Sequence, residues 1–181
     1  EDVGRVPDRN TGDAATAVAE PRFSRAQALR TRAFWLLALY TVLVYPVQAG
    51  VSLHQAPHLI ERGLSPMQAA TVISFFSAMS AVASLAIAFM PARWPVRYPM
   101  ALAGLAMALG ALALTRVETL PGAYLAVSLF GLGIGGVLTL PPLAWANYFG
   151  RESFGAIRGI ALSLQVLAQA SGPLLSGMLR D

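Results

Sequence analysis

The chain has 181 residues, 56% of them apolar and only 12% charged, with a net charge of +4 supplied by arginine. That charged share is about half of what a soluble domain carries. The absence of cysteine excludes disulfides and thiolate metal sites.

The charges are unevenly placed. Residues 1–32 hold six Arg and five acids, whereas the remainder holds seven Arg and four acids. Uncharged runs of 28, 30, 18, 32 and 21 residues separate the later charges. A helix needs about 20 apolar residues to cross the hydrocarbon core. The pattern therefore predicts an all-α membrane protein with five transmembrane helices. Arginines flank the apolar runs instead of forming one surface, which argues against a nucleic-acid partner.

Residues 1–22 are polar and small, and read as a disordered linker. Ser24 and Gln27 then fit a capping box, in which each side chain satisfies a free backbone N–H. A short helix leads from there into the first span, at about 33–59, which contains Pro46. Gly63 can end that span in the left-handed conformation. Ser65, Pro66 and Gln68 start the second span, about 66–90. The remaining spans are expected at about 98–114, 121–148 and 156–178. The five spans make up one transmembrane helical domain over 23–181.

Arg in short loops sets orientation. Arg22, Arg25, Arg30, Arg32, Arg93, Arg97, Arg151 and Arg158 fall on one side; Arg62, Arg116 and Arg180 fall on the other. The first side, with the linker and the loops holding Arg93, Arg97 and Arg151, is expected to be cytoplasmic. Trp35, Trp94 and Tyr148 fall near that boundary, as interfacial aromatics do.

Gly131-Leu132-Gly133-Ile134-Gly135-Gly136 satisfies the G-x-G-x-x-G spacing of dinucleotide sites. Such a site follows a strand and has an acid about 20 residues on. Here the glycines lie inside an uncharged run, and Phe154–Arg158 offers no acid. Gly131 and Gly135 share one helix face instead, the arrangement by which membrane helices approach closely. Gly155, Gly159 and Ser163 repeat that spacing, as do Gly104 with Ala108, Ala106 with Gly110, and Ser80 with Ser84. No nucleotide or other cofactor is implied.

His54-Gln55-Ala56-Pro57-His58 is close to the zinc-peptidase pattern H-E-x-x-H. Gln55 stands where the general base would be, and Pro57 is expected to disrupt the helix that would align the two histidines. No metal site and no enzyme are expected. Both histidines lie near the outer end of the first span and read as interfacial, solvated by headgroups or water; the alternative is that His54 or Gln55 lines a polar cavity and touches a solute. Pro141 and Pro142 predict a kink or an interruption in the fourth span, a feature that marks solute sites in transporters. Tyr40 and Gln48 in the first span, and Asn147 near the inner end of the fourth, complete the cavity candidates. No Asp, Glu, Lys or Arg is expected inside a span, so a proton-coupling group would be a histidine or lie elsewhere.

Phe34-Trp35-Leu36-Leu37, the stretch HQAPHLIERGLSPMQAA, the stretch from Gly131 to Gln165, and GPLLSGMLRD resemble the major facilitator superfamily. The branch most resembled is that of monocarboxylate and oxalate/formate-type transporters. The likeness covers about 23–181 and implies helices seven to eleven of the C-terminal half. Ala88, Ala92, Arg93 and Arg97 stand at the family's loop between helices eight and nine. Ser84 stands where anion carriers often have a basic residue. The resemblance implies a secondary transporter in the plasma membrane that moves a small organic solute, such as a monocarboxylate, with H+ or another ion. Its partners would be the bilayer and a six-helix N-terminal half. It also implies that the chain is part of a longer protein; a non-transporting truncated subunit is the alternative.

Overall fold

The structure is a computed structural model that describes residues 23–91, 94–150 and 154–178. The expected linker, residues 1–22, lies outside the described residues, as do Arg93 and Arg151. Regular structure among the described residues is entirely helical: α1 (Arg25–Ala28), α2 (Arg32–Glu61), α3 (Pro66–Ala88), α4 (Arg97–Leu114), α5 (Leu120–Phe149) and α6 (Phe154–Met178).

The helix ends have local causes. Both expected capping boxes form: Ser24 N–H donates to Gln27 Oε1 at 2.8 Å, and Ser65 N–H donates to Gln68 Oε1 at 2.8 Å. Thr31 and Thr119 cap α2 and α5 by accepting from the backbone N–H of Phe34 and Gly122, two starts the sequence reading did not single out. Gly63 follows α2 at φ +94° and Gly150 ends α5 at φ +74°. Both lie in the region that only glycine enters at low cost.

The disruption expected at Pro57 and the interruption expected at Pro141 and Pro142 do not occur. α2 continues unbroken through Pro46 and Pro57, and α5 through Pro141 and Pro142. Proline removes one N–H donor but can be carried in a membrane helix where the freed carbonyl finds another partner.

The helices alternate up and down. α5 is the central element, packed on α4 along one side and on α3 along the other, while α2 packs chiefly on α6. Phe130, Val127 and Val137 of α5 are fully buried. At one end of the bundle Phe34 of α2 meets Trp145 of α5 edge-on at 5.2 Å, and Phe23 meets Phe149 at 5.7 Å. This aromatic cluster joins the start of α2 to the end of α5, the two ends that the arginine count assigns to one side.

α2, α3, α4 and α5 are long and apolar enough to cross a membrane, judged by length and composition among the described residues. α6 covers the residues of the expected fifth span but is less apolar than the other four. Its 25 residues are sufficient in length, but Gln165, Gln169, Ser163, Ser171 and Ser176 dilute its apolar character. Its partner α2 receives part of that polarity: Gln169 Nε2 donates to Gln48 Oε1 at 3.1 Å.

Candidate functional site

The glycines decide how close the helices come. A Cβ on Gly131 would stand 2.6 Å from Phe76 O of α3, and one on Gly135 would strike Ser80 O and come within 2.7 Å of Ala83 Cβ. Gly133 and Gly136 face the other way. A Cβ on Gly133 would stand 2.6 Å from Met107 Cα of α4, and one on Gly136 would strike Ala103 Cβ. Gly110 of α4 answers from its own side, where a Cβ would stand 2.6 Å from Phe130 Cα. The G-x-G-x-G-G run thus serves two interfaces, and only the first was legible from the four-residue spacing. Gly155 and Gly159 are placed differently: nothing among the described residues lies within 4 Å of a Cβ built on either. On α6 the close approach falls to Gly172, where a Cβ would meet Pro46 O and stand 3.0 Å from Gly50 N of α2.

Polar groups at depth are mostly paired between helices. Pro141 has no N–H to give to Val137 O, four residues back. Tyr45 of α2 takes its place: its hydroxyl donates to Val137 O at 3.3 Å. Tyr45 is 1% exposed, so this bond is shielded from competing water. Ser84 of α3 donates to Gly135 O at 3.3 Å, beside Thr139 Oγ1 at 3.2 Å. Tyr40 donates to Met100 O of α4 at 3.0 Å, over Gly104, where a Cβ would sit 3.5 Å from the ring.

The expected cavity residues therefore divide. Tyr40 ties α2 to α4, Gln48 ties α2 to α6, and Asn147 is exposed near the end of α5. His54 and Gln55 come together with others around a cavity of about 490 Å³ between the C-terminal parts of α2, α4 and α6. Val47, Val51, Ala111, Leu114 and Leu175 give it apolar walls. Its polar lining comes from His54, Gln55, His58, Glu61, Thr115 and Ser176. Because α2 is continuous through Pro57, His54 and His58 both reach this wall, contrary to the expected disruption. No group of three metal-ligating side chains occurs among the described residues.

One wall is fixed by the end of α4. The last carbonyls of a helix lack intrahelical donors. His58 Nε2 lies 3.0 Å from Leu114 O, and Arg62 Nη2 donates to Thr115 O at 2.6 Å. A carbonyl only accepts, so His58 carries its proton on Nε2. A cation at a helix C-terminus is also favoured by the helix dipole. Two polar atoms at the cavity stay unmatched: His54 Nε2 and Gln55 Oε1 are buried without a hydrogen-bond partner. Buried polar atoms nearly always have one. Glu61, Thr115, Gly172 and Ser176 were not anticipated at the site; their shared wall depends on how α2, α4 and α6 pack, which no local spacing encodes.

Fold and cavity together define an all-α, multi-pass membrane protein. The profile of the Major Facilitator Superfamily matches residues 4–173. The match spans nearly the whole chain, and the chain belongs to that superfamily. Its members are transporters rather than enzymes, with the bilayer and a small solute as partners. Comparison with curated proteins gives no match.

Proposed function

We propose that the chain is the C-terminal bundle, helices seven to eleven, of a secondary transporter in the plasma membrane. In this reading α6 is the fifth span and residues 1–22 form a cytoplasmic linker. The bundle works against a six-helix N-terminal half by alternating access. The cargo is a small organic solute, with a monocarboxylate as the class that the resemblance supports and H+ or another ion as the coupling partner. The observation that carries the reading is the cavity between α2, α4 and α6. Solute sites are concave, mostly apolar, and carry a few convergent polar groups. This one has apolar walls and two buried, unmatched polar atoms, on His54 and Gln55.

Uptake of labelled organic acids into proteoliposomes holding the full-length protein tests it. Saturable uptake of a monocarboxylate is expected. Uptake of a neutral solute with none of any acid would remove the monocarboxylate assignment, and no uptake of either would remove the transport reading.

A further inference from the structure

We propose that His58 of α2 and Arg62 just beyond it form a proton-sensitive latch that closes one end of the cavity by holding the end of α4. Its bearing on transport rests on reading the cavity as the solute site. α2 and α4 are tied to each other at two levels. Tyr40 donates to Met100 O near the start of α4, and His58 and Arg62 reach Leu114 O and Thr115 O at its end, at 3.0 and 2.6 Å. The cavity's lining runs from Pro46 to Glu61 on α2 and from Ala111 to Thr115 at the end of α4. It therefore begins beyond the first tie and finishes at the second, where His58, Leu114 and Thr115 are part of its wall. The carbonyls just before the latch are met within their own chain segment: Leu112 O by Thr115 Oγ1 at 2.7 Å, and Ala113 O by the Arg116 N–H at 3.0 Å. Leu114 O receives the Val117 N–H only at 3.4 Å, and His58 is the closer donor. Arg62 and Thr115 are exposed. Water takes over their bond once it parts and Leu114 O keeps the Val117 N–H, so the latch can open without stranding a polar group.

The proton sensitivity follows from the two donors. Arginine stays charged throughout the physiological range, whereas histidine is the side chain that changes charge between about pH 5 and 8. Neutral His58 gives Leu114 O an ordinary hydrogen bond. Charged, it gives one roughly twice as strong, at the negative end of α4. Acid therefore tightens the latch and base loosens it. Among the described residues the charged or titratable groups at this end of the bundle are few. On and just after α2 they are His54, Glu61 and Arg62; past the end of α4 they are Arg116 and Glu118. α3 and α5 contain no charged residue or histidine, and Tyr124 near the start of α5 donates to Thr71 of α3 at 3.2 Å. The α6 residues on the wall, Gly172, Leu175 and Ser176, add none. His54 is the other group of the histidine type, so a change at His58 alone isolates the latch.

The chain has no cysteine, so Val51→Cys adds a thiol on the cavity wall, about 10 Å along α2 from His58; in the full-length protein any cysteine outside this chain is replaced by serine. The purified full-length protein is labelled with a water-soluble maleimide at pH 8 and pH 5.5, with Val51→Cys alone and with His58→Gln or Arg62→Ala added. His58→Gln keeps a neutral N–H for Leu114 O and loses the charge. Comparing variants at one pH removes the thiol's own pH dependence. At pH 8 the parent and His58→Gln should label alike. At pH 5.5 the parent should label about fivefold more slowly, the step between a neutral and a charge-assisted hydrogen bond. Arg62→Ala should label about tenfold faster than the parent at both pH values, because the bond it removes does not titrate. Equal rates for the parent and His58→Gln at pH 5.5, or an Arg62→Ala thiol no more reactive than the parent's, would overturn the proposal. That is the result expected of side chains that only cap α4, which would shift melting and leave labelling of the folded protein unmoved. Uptake by the same proteins separates the two readings. A proton-dependent latch without uptake keeps this inference and removes the solute site; uptake without proton-dependent labelling does the reverse.

Discussion

α5 and α2 are both 30-residue helices with two internal prolines, yet they are built for different work. α5 is walled in on two sides by α3 and α4, and glycines on both faces let backbone meet backbone. α2 has one close partner, α6, at Gly50 and Gly172, and beyond that contact it turns polar side chains toward a cavity. In α5 no buried side-chain polar atom lacks a partner among the described residues, and the carbonyl that Pro141 leaves over is met by Tyr45. In α2 Ser52, His54 and Gln55 each hold a buried side-chain atom without a partner, and His54 and Gln55 line the cavity. The contrast separates a packing helix from a recognition helix within one bundle.

The largest effect should come from breaking the packing helix. Gly135→Leu puts a branched side chain against Ser80 O, a backbone atom that cannot swing away. Overpacking costs about 1–3 kcal/mol and more where backbone must move, so the loss should be at least about 3 kcal/mol. Thermal unfolding in detergent measures it, and a variant melting with the parent protein would mean that α3 and α5 are not in backbone contact.

Tyr45→Phe probes the bridge between the two helices. It strips Val137 O of its donor, and a buried unpaired carbonyl costs about 1–3 kcal/mol. Pro141→Ala restores an N–H four residues on, so the double variant should recover part of that loss. Purely additive effects in this cycle would show that the hydroxyl does not serve the carbonyl freed by Pro141.

The smallest effect is expected at Gly159. A Cβ there meets nothing among the described residues, and alanine is the better helix former by about 1 kcal/mol. Gly159→Ala should leave unfolding unchanged or shift it slightly upward. A marked loss in the full-length protein would instead place a close neighbour on that face of α6.

Much of the fold was legible because its causes are local. Uncharged runs mark the helices, and Ser24, Gln27, Ser65, Gln68 and Gly63 fix their ends through bonds spanning three or four residues. What was not legible is which neighbour each residue meets. Gly131 and Gly135 announce a smooth face by spacing, but Gly133 and Gly136 announce nothing until α4 is seen against them. Gly155 and Gly159 have the same spacing and no described neighbour. Tyr40, Gln48 and His54 look alike as polar residues in an apolar helix. Only packing separates the two that bond across to α4 and α6 from the one that faces the cavity. Pro57 misled for a similar reason: its local cost is real, but a packed helix absorbs it.

The central claim is that the cavity between α2, α4 and α6 is where the solute sits. Proteoliposome uptake by His54→Leu, compared with Gly159→Ala and the parent protein, tests it most directly. The account predicts that His54→Leu lowers uptake about tenfold or more, the change that loss of one buried hydrogen bond produces, with unfolding temperature unchanged. Undiminished uptake by His54→Leu would contradict it.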